Sequence, residues 1–166
     1  MKKRISFLVT GAVIAAVYAG LTLLCGVFGI AYGPIQFRVS EALTILPIFT
    51  PAAIPGLAVG CFIANIASFN PVDMVFGTMA TLSAATLTYL LRNVRIKGFA
   101  WLSFLPPILI NAVVVGLEIA LFWSGGATAM GFLVSALYVG IGEAAVVLLL
   151  GIPLYFAANR HQNLIK

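Results

Sequence analysis

Apolar runs dominate this chain, and the few polar positions fall at their ends. From Ile5 to Leu91 only Arg38, Glu41 and Asp73 carry charge. A transmembrane helix needs roughly 20 apolar residues in succession. Four segments meet that length, at about 5–31, 74–91, 99–123 and 129–157. The segment between them, "ALTILPIFTPAAIPGLAVGCFIANIA" at 42–67, is apolar throughout but carries Pro47, Pro51 and Pro55. Each proline removes a backbone donor and clashes with the preceding helical turn. The spacing therefore predicts two short helices, at 38–50 and 53–69, with a turn near "TPAA".

Charge placement supports six spans independently. Lys and Arg prefer the cytoplasmic side of a span. With six spans and an inner N-terminus, Lys2, Lys3, Arg4, Arg92, Arg95, Lys97, Arg160 and Lys166 all lie inside, and only Arg38 lies outside. Five spans would put the clusters "RNVRIK" and "RHQNLIK" on the outer face. The expected fold is thus an all-α membrane protein: one integral domain of six transmembrane helices in a compact bundle, both termini cytoplasmic. "YGPIQFRVSE", "SFNPVD" and "WSGGATA" become its outward connections.

Composition agrees. The chain is 63% hydrophobic and 8% charged, against roughly 25% charged residues in soluble domains, and its mean hydropathy is +1.16. The first run is far longer than the 7–15-residue core of a secretory signal and is read as a retained helix. A net charge of +5 confined to span ends is no nucleic-acid footprint. Cys25 and Cys61 stand alone inside apolar runs and read as packing residues.

Carboxylates inside hydrocarbon are costly and face a bundle interior or a cavity. Glu143 falls near the middle of the last span and Glu118 near the outer end of the fifth. Each reads either as part of a binding site or as a protonated acid bonded to a neighbouring helix. Asn111 lies seven residues before Glu118, on the same helical face. Gly140 and Gly142 flank Glu143, giving room for a ligand or for helix packing. Asn65 and Asp73 belong to the same outer half. Asp73 also suits a first-turn acid, and Ser40 and Glu41 an N-cap and first-turn acid. Four carboxylates, two amides and aromatics such as Tyr32, Phe37, Phe69, Phe76 and Trp123 match a small, flat, donor-rich ligand. A guanine-like edge fits, and a cationic vitamin fits nearly as well.

No phosphate loop of the type GxxxxGK[ST], no HExxH and no GxSxG occurs, and the single histidine, His161, lies in the tail. No enzyme is expected, and neither a metal nor a cofactor in this chain. The first span offers small residues four apart, Ala12 and Ala16, overlapped by Ala15 and Ala19 and by Ala16 and Gly20. Such spacing lets another helix approach closely. Gly56 and Gly60 form a further small pair, read as internal packing.

The run "YGPIQFRVSEALTILPIFTPAAIPGLAVGCFIANI", followed by "VDMVFGTMATLSAATLTYLL", resembles the QueT family, substrate-binding S components of energy-coupling factor (ECF) transporters assigned to queuosine precursors. The resemblance covers essentially the whole chain and is most specific in "YGPIQFR-SEAL" and "FGT-AT". It implies a membrane subunit that captures a 7-deazaguanine from outside a bacterial cell, in the aminomethyl or cyano form or as queuine. It also implies a transmembrane coupling subunit and two ATPase subunits as partners, which use ATP. Ala12 and Ala16 would dock the coupling subunit, and the stretch Tyr32, Gly33, Pro34 and Phe37 would gate the site. The ligand set rests on the residues themselves: Gln36, Arg38, Glu41, Asn65, Asp73, Asn111, Glu118 and Glu143. The rival readings are an S component for another vitamin-like ligand and a stand-alone ion-coupled carrier.

Overall fold

Four helical stretches are long and apolar enough to cross a bilayer: Lys2–Val27, Pro71–Leu91, Trp101–Phe122 and Ala129–Arg160. They belong to a computed structural model that describes residues 1–31, 37–67, 71–122 and 128–160. The helices are α1 (Lys2–Val27), α2 (Ala53–Ala67), α3 (Pro71–Leu91), α4 (Leu105–Phe122), α5 (Ala129–Val146) and α6 (Ile152–Arg160). A 3-10 turn at Trp101–Phe104 leads into α4, and a π turn at Val147–Gly151 fuses α5 to α6. No β-strand occurs among the described residues, so the protein is an all-α membrane protein.

The proline-rich segment divides as its spacing predicts, but its first half is a 3-10 helix, Val39–Ile48. Pro47 lies inside it, and the Thr44 hydroxyl bonds the Glu41 carbonyl at 2.5 Å. Both features draw backbone groups away from the α-helical ladder. At about 2.0 Å per residue this helix spans only about 20 Å, and α2 about 22 Å, less than a hydrocarbon core of about 30 Å. The two short helices are the middle of the bundle rather than full-length walls. The 3-10 helix touches α1, α2, α3, α5, α6 and the π turn. Gly151 of the π turn lies where a Cβ would be in ordinary contact with Ile45 Cγ2 at 3.4 Å, so the π turn packs directly on this central element.

Small residues set the closest helix approaches. A Cβ on Gly56 would stand 2.6 Å from the Gly11 carbonyl oxygen, and one on Gly60 2.7 Å from that of Ala15. Gly56 and Gly60 are therefore internal packing residues, as their spacing suggests, and they turn the Gly11–Ala15 face of α1 inward. Ile14, Tyr18, Leu57, Cys61 and Ala85 form the adjoining core. A second core joins Ile45 and Ile48 to Phe104, Val147 and Tyr155. On α4, Gly116 meets Ala136 of α5 so closely that a Cβ would reach 2.6 Å from the Ala136 Cα.

Candidate functional site

Because the 3-10 helix runs through the centre, its polar first turn is enclosed by α1, α3 and the C-terminal span. Arg38, Ser40, Glu41, Asn65, Asp73, Asn111, Glu118 and Glu143 are all buried, none more than 6% exposed. Charges placed so deep must find partners, and two clusters of them form.

In one cluster the Arg38 Nη2 donates to Asp73 Oδ2 at 2.7 Å and its Nε to the Ala31 carbonyl at 3.1 Å. Asn65 Nδ2 donates to the Asp73 carbonyl oxygen at 2.9 Å, tying α2 to the first turn of α3. Gly77 makes the room. A Cβ there would lie 2.5 Å from Asp73 Oδ1 and 2.9 Å from Asn65 Nδ2. Asp73 is thus at once a first-turn acid of α3 and the counter-ion of Arg38. Asn65 also approaches the Cys61 sulfur at 3.5 Å, which accepts from Thr81 Oγ1 at 3.3 Å.

The other cluster contains two glutamates. The Tyr18 hydroxyl donates to Glu41 Oε1, and Asn111 Nδ2 donates to Glu143 Oε1 at 3.0 Å. Asn111 also faces the Glu41 carboxyl, so the amide lies between two acids from different parts of the chain. Glu41 Oε2 and Glu143 Oε2 are both buried and have no hydrogen-bond partner among the described residues. Arg38 is within electrostatic reach of Glu41 and Glu143, which connects the two clusters. Glu118 is buried two turns beyond Asn111 on the same face of α4.

The expected site residues thus come together in two groups, Arg38–Asn65–Asp73 and Glu41–Asn111–Glu143. Gln36, Tyr32, Gly33 and Pro34 lie outside the described residues, as do Phe69 and Trp123. Phe37 is partly buried, and its N–H donates to the Ile30 carbonyl at 2.9 Å. The N-cap reading of Ser40 is corrected. Arg38 occupies that position with no side-chain cap, and Ser40 Oγ instead lies 2.6 Å from Thr22 Oγ1. Gly140 packs on α4, where a Cβ would meet Ala112 Cβ at 3.3 Å, so helix packing is its role.

Tyr18 and Thr22 are the site residues that sequence reasoning missed. They are the only hydroxyl-bearing residues between Gly11 and Val27, one turn apart, and that spacing puts them on one helical face. Gly77 was visible in the "FGT" motif, but its role was not. Ala12 and Ala16, with Gly20, are exposed on α1.

Chemically, the second cluster is rich in acceptors and lies among helices that exclude water. Two carboxyl oxygens, an amide and a phenol can hold a planar molecule by its N–H edges.

No solved structure matches the chain. The queuosine precursor transporter QueT of Lactococcus lactis subsp. cremoris (strain MG1363) is 40% identical over 102 residues, which is 61% of this chain. The matched part spans 60% of that protein's length. The family described as QueT transporter matches residues 8–160, nearly the whole of a helical membrane bundle built around buried acids, and the chain belongs to that family.

Proposed function

We propose that this protein is the substrate-binding S component of an ATP-driven ECF importer and that it captures a queuosine precursor, a 7-deazaguanine, from outside the cell. The observation that carries the reading is the pair of buried oxygens without a hydrogen-bond partner among the described residues, Glu41 Oε2 and Glu143 Oε2, on two carboxyls that both neighbour Asn111. A buried acceptor without a donor costs about 1–3 kcal/mol. A ligand that brings one donor to each oxygen, an N–H edge to one and a cationic substituent to the other, relieves that cost twice, which a ligand lacking them cannot do.

In this reading Glu143 and Asn111 read the N–H edge of the base, and Glu41 faces its substituent, an aminomethyl cation in the most favourable case. Arg38, Asn65 and Asp73 frame the site, and Glu118 extends it along α4. The stretch from Tyr32 to Phe37, with Gln36, closes over the ligand. The protein resides in the bacterial plasma membrane with both termini inside. A transmembrane coupling subunit docks on Ala12 and Ala16, both exposed on α1, and two ATPase subunits supply ATP hydrolysis. The chain itself performs no catalysis.

The test is calorimetric titration of the purified protein with aminomethyl- and cyano-7-deazaguanine, queuine and guanine. The reading expects saturable binding of at least one deazaguanine, weakened roughly 10–150-fold by Glu143→Gln, the range for a charge-assisted hydrogen bond of about 1.5–3 kcal/mol. Unchanged binding in the Glu41→Gln/Glu143→Gln double variant would overturn the site assignment. Uptake into vesicles that contain this chain and no ATPase would overturn the ATP-driven mechanism and favour an ion-coupled carrier.

A further inference from the structure

A second recess lies at the amino-terminal end of α1, far from the buried acids. Lys2 is sixteen residues from Tyr18, about 24 Å along a helix. The recess has a volume of about 480 Å3, and its lining includes Lys2, Lys3, Ser6 and Thr10 of α1 with Phe49 and Thr50 from the turn after the 3-10 helix. Among the described residues it presents two ammonium groups and three hydroxyls and no carboxyl group. The chain has only four acidic side chains, all buried in the bundle, and none lines this recess.

Thr50 is a buried polar residue in the recess lining. The residue is 6% exposed. Its backbone is occupied, the N–H donating to the Leu46 carbonyl and the carbonyl accepting from the Ala53 N–H. Its hydroxyl has no hydrogen-bond partner among the described residues, and the residue lines the recess. An otherwise unbonded hydroxyl on a largely buried residue beside two lysines suits an anionic oxygen.

The recess does not end in polar surface. Phe7 lines both this hollow and an apolar groove of about 250 Å3 between α1 and α2, walled by Leu8, Gly11, Gly56 and Val59. A cationic hollow that continues into an apolar groove on a membrane-crossing helix has the two-part form of a phospholipid. Basic pockets between helices at a membrane surface hold anionic headgroups.

We propose that the two hollows together bind one anionic phospholipid, its phosphate at Lys2, Lys3 and Thr50 and an acyl chain in the groove beside Phe7. An acyl chain in the groove also touches Ala12, which lines it, so this lipid borders the exposed small-residue face of α1.

Native mass spectrometry of the intact protein, released from detergent with equal amounts of phosphatidylglycerol and phosphatidylcholine of the same acyl chains, tests this. The wild type should retain phosphatidylglycerol in preference. Lys2→Ala and Lys3→Ala should each lower that retention about fivefold. Thr50→Val should lower it as well, with phosphatidylcholine retention unchanged. Arg95→Ala/Lys97→Ala, at the other basic cluster, should leave the preference intact. Equal retention of both lipids by the wild type would overturn the proposal, as would equal losses in the two basic clusters. Glycerol 3-phosphate separates the lipid from a soluble phosphate: if it displaces phosphatidylglycerol at matched concentration, the lipid assignment fails.

Discussion

At Arg38 the guanidinium meets Asp73 at 2.7 Å and the Ala31 carbonyl at 3.1 Å, while Asn65 fastens the backbone of Asp73 from α2. At Glu41 and Glu143 each carboxyl accepts one hydrogen bond, from Tyr18 and from Asn111, and keeps its second oxygen buried with no partner among the described residues. The two clusters share one interior and feel one another's charge, so burial alone does not separate them. The first is a cross-brace whose charges balance one to one. The second holds acceptors in excess of donors, the condition in which a bound molecule gains most by supplying donors. On the proposed function, the difference separates residues that hold the bundle from residues that would read the ligand.

The comparison breaks most visibly at the brace. Arg38→Met leaves Asp73 as a buried acid without its counter-ion, which should cost about 3–5 kcal/mol. Thermal unfolding in detergent should show that loss with no ligand present. Replacing both partners, in Arg38→Met/Asp73→Leu, should cost less than either single change, because no uncompensated charge remains. A double variant worse than both singles would move Arg38 out of the structural group.

Glu143→Gln probes the other side. The amide keeps the volume and can still accept from Asn111, so the unfolding midpoint should stay close to wild type. Deazaguanine affinity should fall by the 10–150-fold range of a charge-assisted bond. A large drop in stability with unchanged affinity would reverse the comparison. Gly77→Ala comes next. Its Cβ would crowd Asp73 Oδ1 and Asn65 Nδ2, an overpacking of about 1–3 kcal/mol. The unfolding curve should register it, and the affinity of the folded fraction should change little.

The ease of reading these features from sequence follows their physical range. Span lengths and the break at Pro47, Pro51 and Pro55 are local, and the sequence pattern carries them. The candidate acids were equally legible, since a carboxylate in an apolar run needs a reason wherever it falls. Pairing was not legible. Arg38 finds Asp73 across 35 residues, and nothing near Arg38 favours Asp73 over Glu41. Ser40 has the chemistry of an N-cap, but its hydroxyl lies against Thr22 on another helix. The same limit applies on α1, where two overlapping small-residue stripes are indistinguishable until Gly56 and Gly60 select Gly11 and Ala15 as the inner one. That selection leaves Ala12 and Ala16 outside.

Tyr18→Phe has the smallest expected effect and sharpens the comparison most. Tyr18 is fully buried in the α1–α2 core, and its hydroxyl is the donor that positions Glu41. Removing the hydroxyl deletes one hydrogen bond, about 0.5–1.5 kcal/mol, and leaves the ring packing in place. If Glu41 belongs with the ligand-reading residues, the loss should show mainly in affinity. Groups within one network couple by 0.5–3 kcal/mol, and independent ones combine to within about 0.5 kcal/mol. In a double-mutant cycle on deazaguanine affinity, Tyr18→Phe should therefore couple strongly to Glu41→Gln. It should couple only weakly to Gly77→Ala, whose neighbours are Asp73 and Asn65. A cycle in which Tyr18 coupled to Gly77 as strongly as to Glu41 would mean that brace and reader are one network, and the division between them would have to be abandoned.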